Sequence, residues 1–263
     1  MEHDWDNLIL LDACRWDVFH EYSQLDGKLM KVVSRGNYSW EFMEENFIGR
    51  ELNDTVYVTA NPYSENLDQE QFYKIESLLN EWNEEKETVL PNDVVNAALN
   101  AREKYPNKRL IIHFMQPHLP HISDIAEEIE YDQVGWYHGD DDLLDRSEKK
   151  TIFSAYKNNE ISQKELFESY RQNFTFVEGY VSSLVNDLKG KTVITSDHGE
   201  NLGENYFGCE IFGHRNETKE CRFVPWLELP YDERIRVEKE DPIEDTTVGD
   251  SIVNQRLEDL GYI

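Results

Sequence analysis

Long hydrophobic runs are missing from this sequence. No apolar stretch approaches the ~20 residues of a membrane span, so no transmembrane segment is expected. Basic residues are scarce: 26 Lys and Arg stand against 54 Asp and Glu, a formal net charge of −28 over 263 residues. That imbalance argues against nucleic acid or an anionic membrane surface as a partner. It fits an acidic, salt-adapted (halophile-type) surface, although 14 of the basic residues are lysine. Cysteine is rare too. Cys14, Cys209 and Cys221 form no regular framework and leave an odd thiol, which points to a reducing interior. With a strand expected from about residue 7 there is no room for a leader, and the cytoplasm is the expected location. Internal repeats and low-complexity tracts are absent. Acidity of this degree can mark disorder, but 12% aromatic residues and several apolar runs supply a core, and the length suits one large domain.

Short apolar runs of strand length recur at Leu8–Leu11, Met30–Val33, Val56–Thr59, Leu110–Met115, Thr192–Thr195 and Phe223–Leu229. Between them, Arg15–Tyr22, Trp40–Phe47, Gln69–Trp82, Asn92–Tyr105, Gln163–Leu188 and Asp250–Leu260 carry helical spacing. Buried strands alternating with helices imply an α/β fold, a three-layer sandwich around a mainly parallel sheet. The stretch 123–160 is rich in Asp, Glu, Tyr and Gly with weak periodicity, and reads as an insertion or lid. Residues 230–263 read as a C-terminal extension: an extended connection, then a short helix.

In open α/β sheets ligands bind beyond the carboxyl ends of the strands, and there the sequence places its chemistry. The first strand runs into Asp12, followed by Arg15 and Asp17; the second is followed by Ser34 and Ser39. After "LIIHF" come His118 and His121, and "VITSDHGENLGE" puts Asp197 and His198 where a strand runs out, with His214 downstream in "FGHR". Each has a plain alternative. Asp12 could cap the next helix and Ser39 reads as an N-cap; His118 and His121 could be loop residues around Pro120; His113, inside a strand, reads as a satisfied core histidine. Arg15 could bind substrate oxygens through its fork or pair with Asp17. The Asp197–His198 pair is the hardest to dismiss, because a buried carboxylate needs a partner or a metal.

The order of "LILLDACRWDVF", "SRGNYSWEFMEENF", "VYVTANPY", "HFMQPHLPH", "TSDHGENLGE…FGH" and "RLEDLGYI" resembles the alkaline phosphatase superfamily, in particular its sulfatase-like branch, across most of the chain. The resemblance implies one sulfatase-like domain over 1–263, with Asp12, Asp197 and His198 as ligands of a divalent metal and His214 as the later histidine. It places His118 near a substrate-binding or second-metal position, and makes Ser39, ahead of Ser34, the nucleophile. Two departures stand out. "NYSWE" lacks the Cys-x-Pro-x-Arg context of formylglycine sulfatases, and "MQPHLPHISD" lacks an Asp-x-x-x-His pair for a second metal. One metal, or a second site with unusual ligands, is expected.

The implied activity is metal-dependent hydrolysis of phosphate or sulfate esters through a serine, with His118, His214 and Arg15 at the transferred group. A mixed oxygen and nitrogen ligand set favours Zn²⁺ or Mn²⁺, with Ca²⁺ or Mg²⁺ still open. The substrate would be a small anionic ester or a glycan or lipid head group. Two other readings share the site: a phospho- or sulfo-transferase, and a non-catalytic member that binds a metal or anion.

Overall fold

The strand NLILL (β1, Asn7–Leu11) is buried at every position, which suits a central strand covered on both faces. In the computed structural model, which describes residues 4–128 and 151–243, it is followed by α1 (Trp16–Tyr22), β2 (Lys28–Val33), α2 (Ser39–Asn46), β3 (Leu52–Thr59) and β4 (Phe72–Ser77). The short pair β5 (Trp82–Asn83) and β6 (Thr88–Val89) leads into α3 (Pro91–Lys104), β7 (Arg109–Phe114), α4 (Asp124–Glu128), α5 (Ile152–Lys157) and α6 (Gln163–Asp187). Then come β8 (Thr192–Thr195), the hairpin β9 (Asn201–Tyr206) and β10 (Cys209–Gly213), α7 (Lys219–Arg222) and β11 (Phe223–Glu228).

Seven strands form the central sheet in the order β2-β11-β8-β1-β7-β3-β4. All neighbours from β8 to β4 are parallel, and β11 is antiparallel to both β8 and β2. The architecture is the expected mainly parallel α/β sandwich. The helix α6 starts at a reciprocal cap: Ser162 accepts from Glu165 N, and Glu165 accepts from Ser162 N at 2.7 Å. Leu166, Tyr170, Phe174, Val177, Val181 and Leu184 then bury one stripe. On the sheet, Tyr57 and His113 share a face, and α2 brings Phe47 within 5.5 Å of Tyr57 between ring centres. The core is one continuous cluster.

Two expectations need correction. The helix expected over Gln69–Trp82 is instead β4, which pairs in parallel with β3, between two 3₁₀ turns at Gln69–Gln71 and Leu79–Glu81. Apolar residues at 72, 75, 78 and 79 imitate a helical face, but an edge strand that buries only Phe72 and Ile75 yields the same spacing. Ser39 is the first helical residue of α2 rather than its cap; Tyr38 holds the cap position, and the Ser39 hydroxyl points elsewhere. Of the expected insertion, α4 and α5 form the flanks, while 129–150 lies outside the described residues, as does the helix expected over 250–260. No helix among the described residues is long and apolar enough to cross a membrane.

Candidate active site

The register decides where the chemistry gathers. β1 pairs in parallel with β8 on one side and β7 on the other, Leu10 facing Thr195 and His113, so all three carboxyl ends open on one edge. Asp12 leaves β1 with its amide bonded to Phe114 O at 3.1 Å, and its own carbonyl accepts from His118 N at 3.0 Å. Ala13 follows in the left-handed region at φ 59°, and its N–H donates to Asp197 Oδ1 at 3.2 Å. The glycine of "SDHGE" has a packing reason: a Cβ on Gly199 would stand 1.9 Å from Glu220 O, and its N–H donates to Cys221 O at 2.8 Å. Backbone pressed against backbone therefore fixes the loop that presents Asp197 and His198.

These side chains converge. His198 Nε2 lies 3.3 Å from Asp12 Oδ1 and 3.5 Å from Asp197 Oδ2. Ser39 Oγ donates to Asp12 Oδ2 at 3.2 Å and lies 3.4 Å from His198 Nε2. Asn61 donates to the same Asp12 oxygen at 2.8 Å. Asp12, Ser39, Asp197 and His198 are all 0% exposed. Burial alone would raise the Asp197 carboxyl, but the His198 charge, with His113 and Ser39 close by, holds it below the usual range. Burial would likewise depress His198, yet Asp197 and Asp12 carry it up to about 9. Even so, Asp12 Oδ1 and Asp197 Oδ2 have no hydrogen-bond partner among the described residues. Two buried carboxylate oxygens left this way beside an imidazole suit a cation.

A second cluster adjoins the first. Ligand atoms of His118, Glu200 and His214 lie within 4.8 Å of one another, and the tilted His214 ring lies 4.5 Å from that of His198 and 5.3 Å from that of His118 between ring centres. Asn201 holds the approach to His214 by donating to Gly213 O at 2.8 Å. Burial lowers His118 and pushes Glu200 up to about 8, against the pull of His198.

No family model and no curated protein matches the chain by sequence. Among solved structures it is similar to the integral membrane protein lipooligosaccharide phosphoethanolamine transferase A of Neisseria meningitidis. The TM-score is 0.52 at 13% identity, over 85% of this chain and 47% of that one. It is also similar to BT1596, a 2-O GAG sulfatase, with a TM-score of 0.54 at 11% identity, over 90% of this chain and 65% of that one. The chain has the alkaline phosphatase/sulfatase-like fold. It spans less than two thirds of either relative's length.

Within this sulfatase-like fold, Asp12, Ser39, His118, Asp197, His198 and His214 come together at one edge of the sheet. Arg15 is drawn aside: its guanidinium forks onto Asp17 at 2.9 and 2.7 Å and reaches Glu204 at 2.5 Å. Ser34 is spent on backbone, donating to Asp197 O and accepting from Gly36 N. His121 bonds Ser169 at 3.0 Å, and burial pushes it down to about 3.

Three residues of the site escaped the sequence. His113 is more than a core histidine: Nδ1 meets Tyr57 Oη at 2.7 Å while Nε2 faces Asp197 at 3.7 Å and Asp12 at 3.9 Å. The signal was its position one residue before the end of the strand beside β1. Glu200 stands in "SDHGE" and Asn61 just after β3, both at strand exits where chemistry was expected.

Proposed function

We propose that this chain is a metal-dependent enzyme that cleaves phosphate or sulfate esters, with Ser39 as nucleophile and a divalent cation held by Asp12, Asp197 and His198. One observation carries the reading. The Ser39 hydroxyl lies at the amino end of α2 within 3.4 Å of Asp12 and His198, against buried carboxylate oxygens without hydrogen-bond partners among the described residues. Two carboxylates and one imidazole suit Zn²⁺ or Mn²⁺ ahead of Ca²⁺ or Mg²⁺. Such an ion, when bound, supplies positive charge to non-bridging oxygens and lowers the pKa of a hydroxyl beside it.

The protein's own groups do the rest. Ser39 Oγ attacks phosphorus or sulfur, and the N–H groups of the first α2 turn face the anionic oxygens of the transferred group. His118, Glu200 and His214 offer two imidazoles and a carboxyl to that group and to the leaving oxygen. The ester bond breaks, the leaving oxygen takes a proton, and water releases the group from Ser39. Arg15, held by Asp17 and Glu204, positions the Glu200 backbone, whose carbonyl lies 3.4 Å from Nη1, and does not touch substrate. One domain over 1–263 carries the activity, with 123–160 as its insertion and 230–263 as its extension. Three free thiols support a reducing compartment, the cytoplasm.

The substrate is a small anionic ester or a glycan or lipid head group. Transfer to an acceptor other than water is the second reading, favoured by the likeness to the Neisseria phosphoethanolamine transferase. Metal analysis of the purified chain, followed by phosphomonoester, phosphodiester and sulfate ester assays with Zn²⁺ or Mn²⁺, tests both. Turnover removed by chelation and restored by the ion is expected. Product release only with an added alcohol or sugar acceptor would select the transferase. A bound ion without turnover would leave a binding protein; neither ion nor turnover would end the proposal.

A further inference from the structure

Outside the buried clusters, a group of rings and one cation is built from the sequence neighbours of the site. Tyr38 and Trp40 flank Ser39, Tyr63 lies two residues beyond Asn61, and Arg215 directly follows His214. The Tyr63 ring stands 6.4 Å from Tyr38 and 6.0 Å from Trp40. Arg215 Cζ lies 4.7 Å over the Tyr38 ring, and Nη2 donates to Tyr63 Oη at 3.0 Å. Its backbone sits in the left-handed region at φ 67°, tied by Arg215 N to Asn37 O at 3.0 Å. Arginine does not favour that conformation, and such strain collects where a side chain must be placed.

The location gives the cluster its meaning. With Ser39 as nucleophile, the residues beside it meet the part of the ester that is not transferred. Trp40 and Tyr38 are half-buried, and aromatic faces of this kind receive flat or sugar rings. The Arg215 guanidinium is a planar fork of the kind that matches carboxylate, phosphate or sulfate. A chain of net charge −28 repels an ester bearing a second negative group, so a cation held over the ring of Tyr38, the residue before Ser39, selects for such a substrate. We propose that Tyr38, Trp40, Tyr63 and Arg215 form a specificity subsite for a ring that carries a second anionic group, with Arg215 holding that group. The inference rests on the proposed reading of Ser39 and names its substrate class.

Matched ester pairs test it: phenyl phosphate against 4-carboxyphenyl phosphate for an aromatic ring, glucose 1-phosphate against glucuronic acid 1-phosphate for a sugar, and the corresponding sulfates. The parent chain should prefer the carboxylated member of at least one pair, mainly through KM. Arg215→Gln should cost that member about 10- to 100-fold more in kcat/KM than its uncharged partner, as expected for a lost charge-assisted bond. Arg215→Lys, which keeps charge without the fork, should fall between. Titration calorimetry of the same esters onto Ser39→Ala, with and without Arg215→Gln, reads the subsite independently of turnover. A discrimination in Kd that Arg215→Gln abolishes supports the subsite even if the parent is inactive. No preference in the parent, or equal losses on both members in kcat/KM and Kd, would overturn it.

Discussion

Two serines five positions apart have opposite fates. Ser34 gives its hydroxyl to the Asp197 carbonyl, whereas Ser39 turns toward Asp12 and His198. Ser39→Ala should therefore cut ester turnover by at least about 10³-fold while metal stays bound. Ser34→Ala should retain turnover and lower stability by roughly 1–2 kcal/mol, the usual cost of a lost buried hydrogen bond; steady-state assays and urea titrations of the pair distinguish these outcomes. Asp197→Asn should weaken metal binding by more than the roughly 10–100-fold that loss of a supporting partner costs. Metal content equal to the parent in a folded Asn variant would count against Asp197 as a ligand. Asp197 and His198 stood out because a buried carboxylate where a strand ends needs a partner or a metal; Asp12 entered as a ligand only through the family resemblance. His113 did not stand out, since a strand histidine looks alike whether its far nitrogen meets a core atom or a carboxylate. Only the parallel register with β1 puts it beside Asp12. Arg15 shows the converse: its neighbour Asp17 was visible, but Glu204, which completes its enclosure, is 189 positions away.

Local pattern sufficed for elements whose burial is one-sided or complete. β1, β7 and β8 are buried along all or nearly all of their length, and α6 combines a capping box with a clear stripe. It failed for β4, where edge pairing to β3 overrides an apparently helical spacing, and it gave no hint that β11 runs against its neighbours. The hairpin β9–β10 passed unnoticed because polar residues such as Asn201, Glu204 and Asn205 occupy half of it. The short helix α7 has a consequence that can be measured. Its Glu220 carbonyl presses on Gly199 so closely that a methyl group there has no room. Gly199→Ala should cost about 1–3 kcal/mol, as overpacking does. Because the loop carries Asp197 and His198, turnover should fall in parallel. Chemical denaturation with unchanged stability would show that the loop yields easily and that the glycine is dispensable.

The far edge of the sheet is closed by residues 230–243, which run from the start of β1 past β7 to β4. Arg234 grips Asp6 at 2.7 and 2.9 Å and Asp4 at 2.6 and 2.8 Å. Farther on, Lys108 Nζ donates to Glu238 O at 2.8 Å and pairs with Glu240 at 2.6 Å, and Ile243 N donates to Tyr73 O at 2.9 Å. This strap lies at the amino ends of the strands, and the site lies at the carboxyl ends, so stability and chemistry should separate. Asp6 is 0% exposed. Burial alone would raise its carboxyl, but the Arg234 fork and the Lys191 amide outweigh that and hold it below the ordinary range. Removing one partner of a buried pair costs roughly 3–5 kcal/mol. Arg234 keeps 36% of its side-chain surface exposed, so screening brings the expected loss for Arg234→Ala to about 1–3 kcal/mol. The sign with pH follows from the lowered folded pKa. Stabilisation by ionised Asp6 is fully present above the unfolded carboxylate value, near ~3.9, and fades as pH falls through the folded value. Parent and Arg234→Ala should therefore differ most near neutrality and converge below about pH 4, with kcat/KM unchanged at neutral pH. Melting temperatures measured across that range decide the matter: a gap that persists undiminished into acid would mean that Arg234 stabilises the strap by packing rather than by charge.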